Sequence, residues 1–326
     1  MLLKTVNRNS LAALALLPLF LIGLWANALL SVQMPAFPFD QTPMPLWGLV
    51  LKVLKGNQLV AASVSLLMAL IMMLGVNRIV NRYSLSQGQT ALPGMVYLLL
   101  VSGYQLVQNL HPVWFFSPLF LLSIERLFSA HGQRKPMAWC FDAAFWLSVG
   151  TLFYAKGIFF LPFLWMTMFI LRLFSLRSIV ASIFGVLLPY LFAFGYYFFV
   201  DKQAWFFELI FENFISPVAF FEHSLISQVY NGVIIFLVFI SILSVVRLLP
   251  IIKIVSRKHY RIFIWLIVLS MVAAITPYFS LEIIPVLAIG CALVISRFFN
   301  AIRRTIWQES LFALLLIITI IAQIFI

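Results

Sequence analysis

QMPAFPFDQTPMPLWGLVLKVLK, Gln33 to Lys55, is the stretch from which the chain is best read. Four prolines, one carboxylate (Asp40) and two lysines interrupt an otherwise apolar sequence. The segment before it, Leu11 to Val32, is an apolar run of membrane-crossing length, for which ~20 residues suffice. Lys4 and Arg8 precede that run. The proline-rich stretch therefore reads as the first loop on the far side of a membrane. Ala26-Asn27-Ala28 also resembles a small-x-small cleavage site. The length of the run and the placing of later charges favour an uncleaved first helix.

Composition supports this reading. Of 326 residues, 64% are hydrophobic and 9% charged, with a mean hydropathy of +1.11, whereas soluble domains carry about 25% charged and about 45–50% apolar residues. The expected fold is all-α: a polytopic transmembrane helix bundle forming one integral membrane domain over residues 1–326. At ~20 residues per span plus short connections, the length accommodates about eleven spans. The net charge of +12 does not indicate nucleic acid, because the basic residues lie between spans instead of forming one soluble face. Cys140 and Cys291 offer neither a CxxC pair nor a disulfide framework. His111, His131, His223 and His259 divide between the two faces, so they do not read as one metal site.

Apolar runs at 59–80, 91–107, 113–128, 139–154, 158–171, 178–200, 229–249, 262–278, 283–299 and 311–326 complete the expected spans. With the N-terminus cytoplasmic, 17 of the 21 lysines and arginines fall inside and only Lys52, Lys55, Lys156 and Lys202 outside. The positive-inside rule requires this asymmetry. Two polar segments then face outward, the first loop at 33–57 and a second at 201–228, DKQAWFFELIFENFISPVAFFEHSLISQ. In the second, acids interleave with aromatics as in an interfacial helix, with Trp205, Glu208 and Glu212 near one face.

Topology accounts for most of the basic residues but not for the outer acids, Asp40, Asp201, Glu208, Glu212, Glu222 and Glu282. Asp40, in a proline-stiffened loop, has the chemistry of a general base that takes a proton from an acceptor hydroxyl; it reads equally as an exposed aspartate before a turn. Lys156 in YAKGIFFLP lies between two apolar helices, where a lysine snorkels to the head groups or meets an anion such as a lipid phosphate. His111, before Pro112 in the neighbouring outer turn, is a second donor for that phosphate or a structural helix-terminal histidine. Glu222 and His223 are adjacent and do not face each other on a helix. Glu282, at the start of the tenth span, pairs locally or lines an outer cavity. Walker, zincin, GxSxG and EF-hand motifs are absent.

These features resemble the GT-C superfamily of multi-spanning glycosyltransferases that use polyprenyl-phosphate-linked sugars. FPFDQTPMPLW resembles the long first loop whose acid serves as catalytic base, which matches Asp40. FWLSVGTLFYAKGIFFLPFLWMTMFILR, following HPVWFFSPLFLLSIERLFS, is similar to helix hairpins in which a lysine-glycine turn meets the lipid phosphate, matching Lys156 and Gly157. The likeness covers roughly residues 1–205 and extends to uncharacterised bacterial multi-spanning inner-membrane proteins. It implies sugar transfer from a polyprenyl-phosphate donor at the outer face of the bacterial inner membrane. The bilayer and the lipid donor are then the partners, with no cofactor and with metal dependence left open. The alternative from another class is a non-catalytic protein for lipid binding, flipping or envelope-complex assembly.

Overall fold

The structure is a computed structural model that describes residues 11–30, 42–54, 56–86, 88, 90–215, 224–302 and 304–325. Among the described residues all regular structure is helical. In chain order the helices are α1 (Leu11–Leu30), α2 (Pro45–Leu54), α3 (Gln58–Arg82), α4 (Leu92–Ser102), α5 (Gln105–Gln108), α6 (Val113–Ala130) and α7 (Met137–Thr151). They continue as α8 (Leu161–Leu171), α9 (Leu176–Phe199), α10 (Gln203–Ile215), α11 (Leu225–Leu248), α12 (Ile254–Ile275), α13 (Ile284–Ala301) and α14 (Thr305–Phe325). Short 3-10 helices at Ala155–Phe160 and Leu281–Ile283 lead into α8 and α13.

Seven segments among the described residues are helical, long and apolar enough to cross a membrane: α3, α6, α9, α11, α12, α13 with its leading 3-10 turn, and α14. The other expected spans fall on α1, a further apolar helix of 20 residues, and on the shorter α4, α7 and α8. Local signals set several boundaries. Asn57 caps α3 by accepting the Val60 amide, Ser175 caps α9 through the Ser178 amide, and Ser224 caps α11 through the Ser227 amide, each satisfying an otherwise orphaned N–H.

α4 is the hub. Every residue from Leu92 to Ser102 is buried, and the helix packs against α3, α13, α14 and α1. A helix apolar on all sides belongs inside a bundle. Its 11 residues rise only about 16 Å, half of a ~30 Å hydrocarbon core, before the chain breaks at Gly103 and Tyr104. Backbone freed by such a break needs partners, and Gln108 provides one, within a set of glutamine bonds that reaches neighbouring helices. Gln108 donates to the carbonyls of Ser102 (3.1 Å) and Leu24 (3.2 Å), Gln105 to that of Gln323 (2.7 Å), and Gln323 to that of Leu24 (3.0 Å). One break thereby ties α1, α4 and α14 together.

Around this hub, α6 packs on α7 and α7 on α9, while α13 packs on α11 and α12. Peripheral helices turn large apolar side chains outward, such as Phe192 and Phe199 on α9, Phe236 on α11 and Ile317 on α14, as lipid-facing surfaces do. The two ends of the bundle differ in charge. At one, Glu125 accepts from Arg82 and lies 3.3 Å from Arg78. At the other, the end of α7, the 3-10 turn with Lys156, and the connection from α12 to α13 come together.

Candidate functional site

The site is built from the turn that ends α7. Tyr154 donates its amide to the Gly150 carbonyl (3.1 Å), and the Gly157 amide donates to the Tyr154 carbonyl (2.9 Å), closing the 3-10 turn. Gly157 is required by packing. A Cβ there would fall 2.4 Å from the Phe116 ring of α6, so the turn can lie on that ring only with a bare backbone.

Lys156 does not reach out toward head groups. It is 2% exposed, and its Nζ donates to the Tyr278 carbonyl at 2.8 Å. Two residues earlier, the Tyr154 hydroxyl donates to Glu282 Oε1 at 2.6 Å. Glu282 is 4% exposed and close enough for its charge to act on the Lys156 ammonium. The connection between α12 and α13 is therefore strapped to the Lys156 turn at both Tyr278 and Glu282. Uncompensated charges at this depth are costly, and here cation and anion lie within one polar cluster.

The described part of the 33–57 segment, from Thr42, closes over this cluster. The Leu46 amide at the start of α2 donates to the Leu152 carbonyl (3.2 Å), and the ring of Trp47 lies 6.0 Å from that of Phe115, which stacks on Phe153. From the second polar segment, Asn213 of α10 donates to the Thr42 carbonyl at 2.8 Å. Met44, Trp47, Asn213, Tyr154 and Lys156 surround interstices too narrow for a water molecule. The described parts of the two polar segments named from the sequence thus meet at Lys156, and they meet closed.

His111 lies in the turn between α5 and α6, fully buried, its ring tilted against Trp114 at 5.9 Å. Burial pushes its imidazole down to about 3, against the upward pull of a hydrogen bond with the Val107 backbone. It is neutral near pH 7. Asp40, Glu222 and His223 lie outside the described residues; the described chain resumes at Thr42. Of the residues singled out in the sequence, the structure brings together Lys156, Gly157 and Glu282. Tyr154, Tyr278 and Asn213 complete the cluster and carry no sequence signal as ligands, since tyrosines at helix ends belong to any interfacial belt.

On α10, Trp205, Glu208 and Glu212 face outward, and Phe206, Leu209 and Asn213 face the bundle, the two-sided pattern of an interfacial helix. His131 and His259 share the Arg82 end of the bundle, where the His131 ring meets the Leu171 carbonyl and His259 stacks on Phe128. Among the described residues no three of His, Cys, Asp and Glu converge on one point.

Helices of this length and apolarity around a buried hub define a multi-pass helical membrane protein. Compared with family models, curated proteins and solved structures, the chain matches none.

Proposed function

We propose that this protein is a GT-C-like glycosyltransferase of about eleven spans in the bacterial inner membrane, with its N-terminus cytoplasmic. In this reading it moves a sugar from a polyprenyl-phosphate donor to an acceptor at the outer face. The observation that carries the proposal is the roof over Lys156: Thr42, held by Asn213, begins the strand of chain that covers the buried lysine. Asp40 precedes Thr42 by two residues in the chain, and this reading gives it the role of base and Lys156 that of phosphate ligand. The 17 to 4 division of basic residues supports the orientation.

The chemistry follows from these roles. The acceptor hydroxyl oxygen attacks the anomeric carbon, and its proton passes to the Asp40 carboxylate. The bond from that carbon to the phosphate oxygen breaks, and its electron pair leaves with the polyprenyl phosphate. Lys156, with Gly157 giving the turn its close seat, stabilises the departing phosphate. To do so Lys156 exchanges the Tyr278 carbonyl for a phosphate oxygen, so the strap opens on binding. His111, neutral and enclosed, serves this reading by supporting the turn beside Trp114 and not as a charged donor. Asp40→Asn is expected to abolish turnover of the lipid-linked sugar in cells while the protein still folds and inserts. Unchanged turnover contradicts the mechanism.

The second reading is a non-catalytic protein that binds or flips lipid or helps assemble an envelope complex. The closed state of the Lys156 cluster favours it, because a lysine already engaged by Tyr278 and Glu282 acts as a structural tie. Under this reading Asp40→Asn has no effect, whereas Lys156→Met destabilises the fold.

A further inference from the structure

A cavity of about 410 Å³ lies between α4, α11, α12 and α13, within the range of ~300–1,000 Å³ typical of small-molecule sites. The segments that line it are the last turn of α4 with Tyr104, Tyr230 to Val238 of α11, the last turns of α12, the connection after it and the first half of α13. Its walls are aliphatic, with Ile234, Val238, Met271 and Leu287. Its polar side chains include Tyr104, Asn231, Tyr230 and Ser280.

The tyrosines are fixed in place. The Tyr104 hydroxyl is 2.9 Å from Ser227 Oγ, and the Tyr230 ring stands edge-on to Tyr104 at 5.6 Å. Tyr230 also lies against the bare backbone of Gly103, where a Cβ would fall 2.0 Å from its hydroxyl. The break after α4 thereby shapes one wall of the cavity. At the rim, Ile235 of α11 is 51% exposed and Ile275 of α12 is 81% exposed. In a bilayer that side meets hydrocarbon and not water. What can enter from there is a chain.

We propose that this cavity holds one hydrocarbon chain of a membrane lipid, with the lipid's polar part at the Tyr230 and Ser280 end. The floor of the cavity is the same strap that Lys156 and Tyr154 hold: Phe279, Leu281 and Ile283 line the cavity, and Tyr278 and Glu282 make the polar contacts between them. A chain in the cavity and a polar group at Lys156 therefore share one wall. The site does not depend on sugar transfer. An acyl chain of a phospholipid and the prenyl chain of a polyprenyl phosphate share the required chemistry.

The test is photolabelling of the full-length protein in nanodiscs, with a diazirine on the acyl chain of phosphatidylglycerol in one arm and on the chain of a polyprenyl phosphate in the other. Adducts on Ile234, Met271 and Leu287 are expected at several-fold the level on Phe192 and Ile317, which face lipid elsewhere. Ala274→Trp at the exposed rim, and Ala288→Phe inside, are expected to abolish the excess; the rim position keeps the test valid if the inner variant fails to fold. Labelling in either arm supports the site and names its source. Cavity labelling no higher than at Phe192, or unchanged by Ala274→Trp, overturns it. Asp40→Asn is expected to label as the native protein does, which separates this site from any failure of the transferase reading.

Discussion

At the residue scale, the decisive side chain is Lys156. Its position in a turn between helices was legible in YAKGIFFLP, because a lone lysine between two apolar runs has few places to go. That it turns inward was not legible, since the outcome depends on the Tyr278 carbonyl and on Glu282, which lie more than a hundred residues further along the chain. Tyr154 holds Glu282 by a buried hydrogen bond of 2.6 Å, and Tyr154→Phe leaves that carboxylate without its donor. The expected loss is on the order of 1–3 kcal/mol, read as a lower denaturation midpoint in detergent, with Glu282→Gln restoring part of it by removing the charge. His111 predicts a pH dependence of definite sign. Its imidazole titrates near 6.5 in the unfolded chain and about 3 when buried, so on acidification the unfolded state takes up the proton first. The contribution is whole above about 6.5 and is lost progressively from there down to about 3. Native protein is expected to lose thermal stability from pH 7 to pH 4 more steeply than His111→Gln; equal slopes would contradict the assignment.

At the scale of elements, hydropathy showed where helices lie but not where they break. α4 stops at Ser102, where Gln108 offers the freed Ser102 carbonyl another partner, while Gln105 and Gln323 tie the break to α14 and α1. In sequence, Gly103 and Tyr104 look like any residues of a membrane helix. The amphipathic character of α10 was legible in its alternation of acids and aromatics, whereas the inward turn of Asn213 toward Thr42 was not. The 3-10 turn at Ala155–Phe160 makes a sharper prediction. Gly157→Ala drives a methyl into the Phe116 ring, and such overpacking typically costs ~1–3 kcal/mol. Loss of stability on that scale, with parallel loss of any lipid-phosphate binding, is expected; a silent Gly157→Ala would mean the turn does not rest on Phe116 as described.

At the scale of the whole molecule, the membrane class was legible from composition alone, because 9% charge leaves no soluble alternative. The proposed orientation rests on the charge division and is checked directly. In a background lacking Cys140 and Cys291, a cysteine at Lys202 is expected to react with a membrane-impermeant maleimide added to the outer face, and one at Arg134 only after permeabilisation. The reverse pattern places the Lys156 end in the cytoplasm and removes the outer-face reading. The candidate site was legible as single residues and not as an assembly, since two polar segments, one strap and one turn meet there from distant parts of the chain. The most direct measurement of the central claim is binding of polyprenyl phosphate to the purified protein, native against Lys156→Gln, with folding of both confirmed by a monodisperse elution profile. Saturable binding by the native protein, weakened at least tenfold by the substitution, a loss of about 1.4 kcal/mol, is the predicted result. Equal binding by both proteins, or binding by neither, contradicts the role of Lys156.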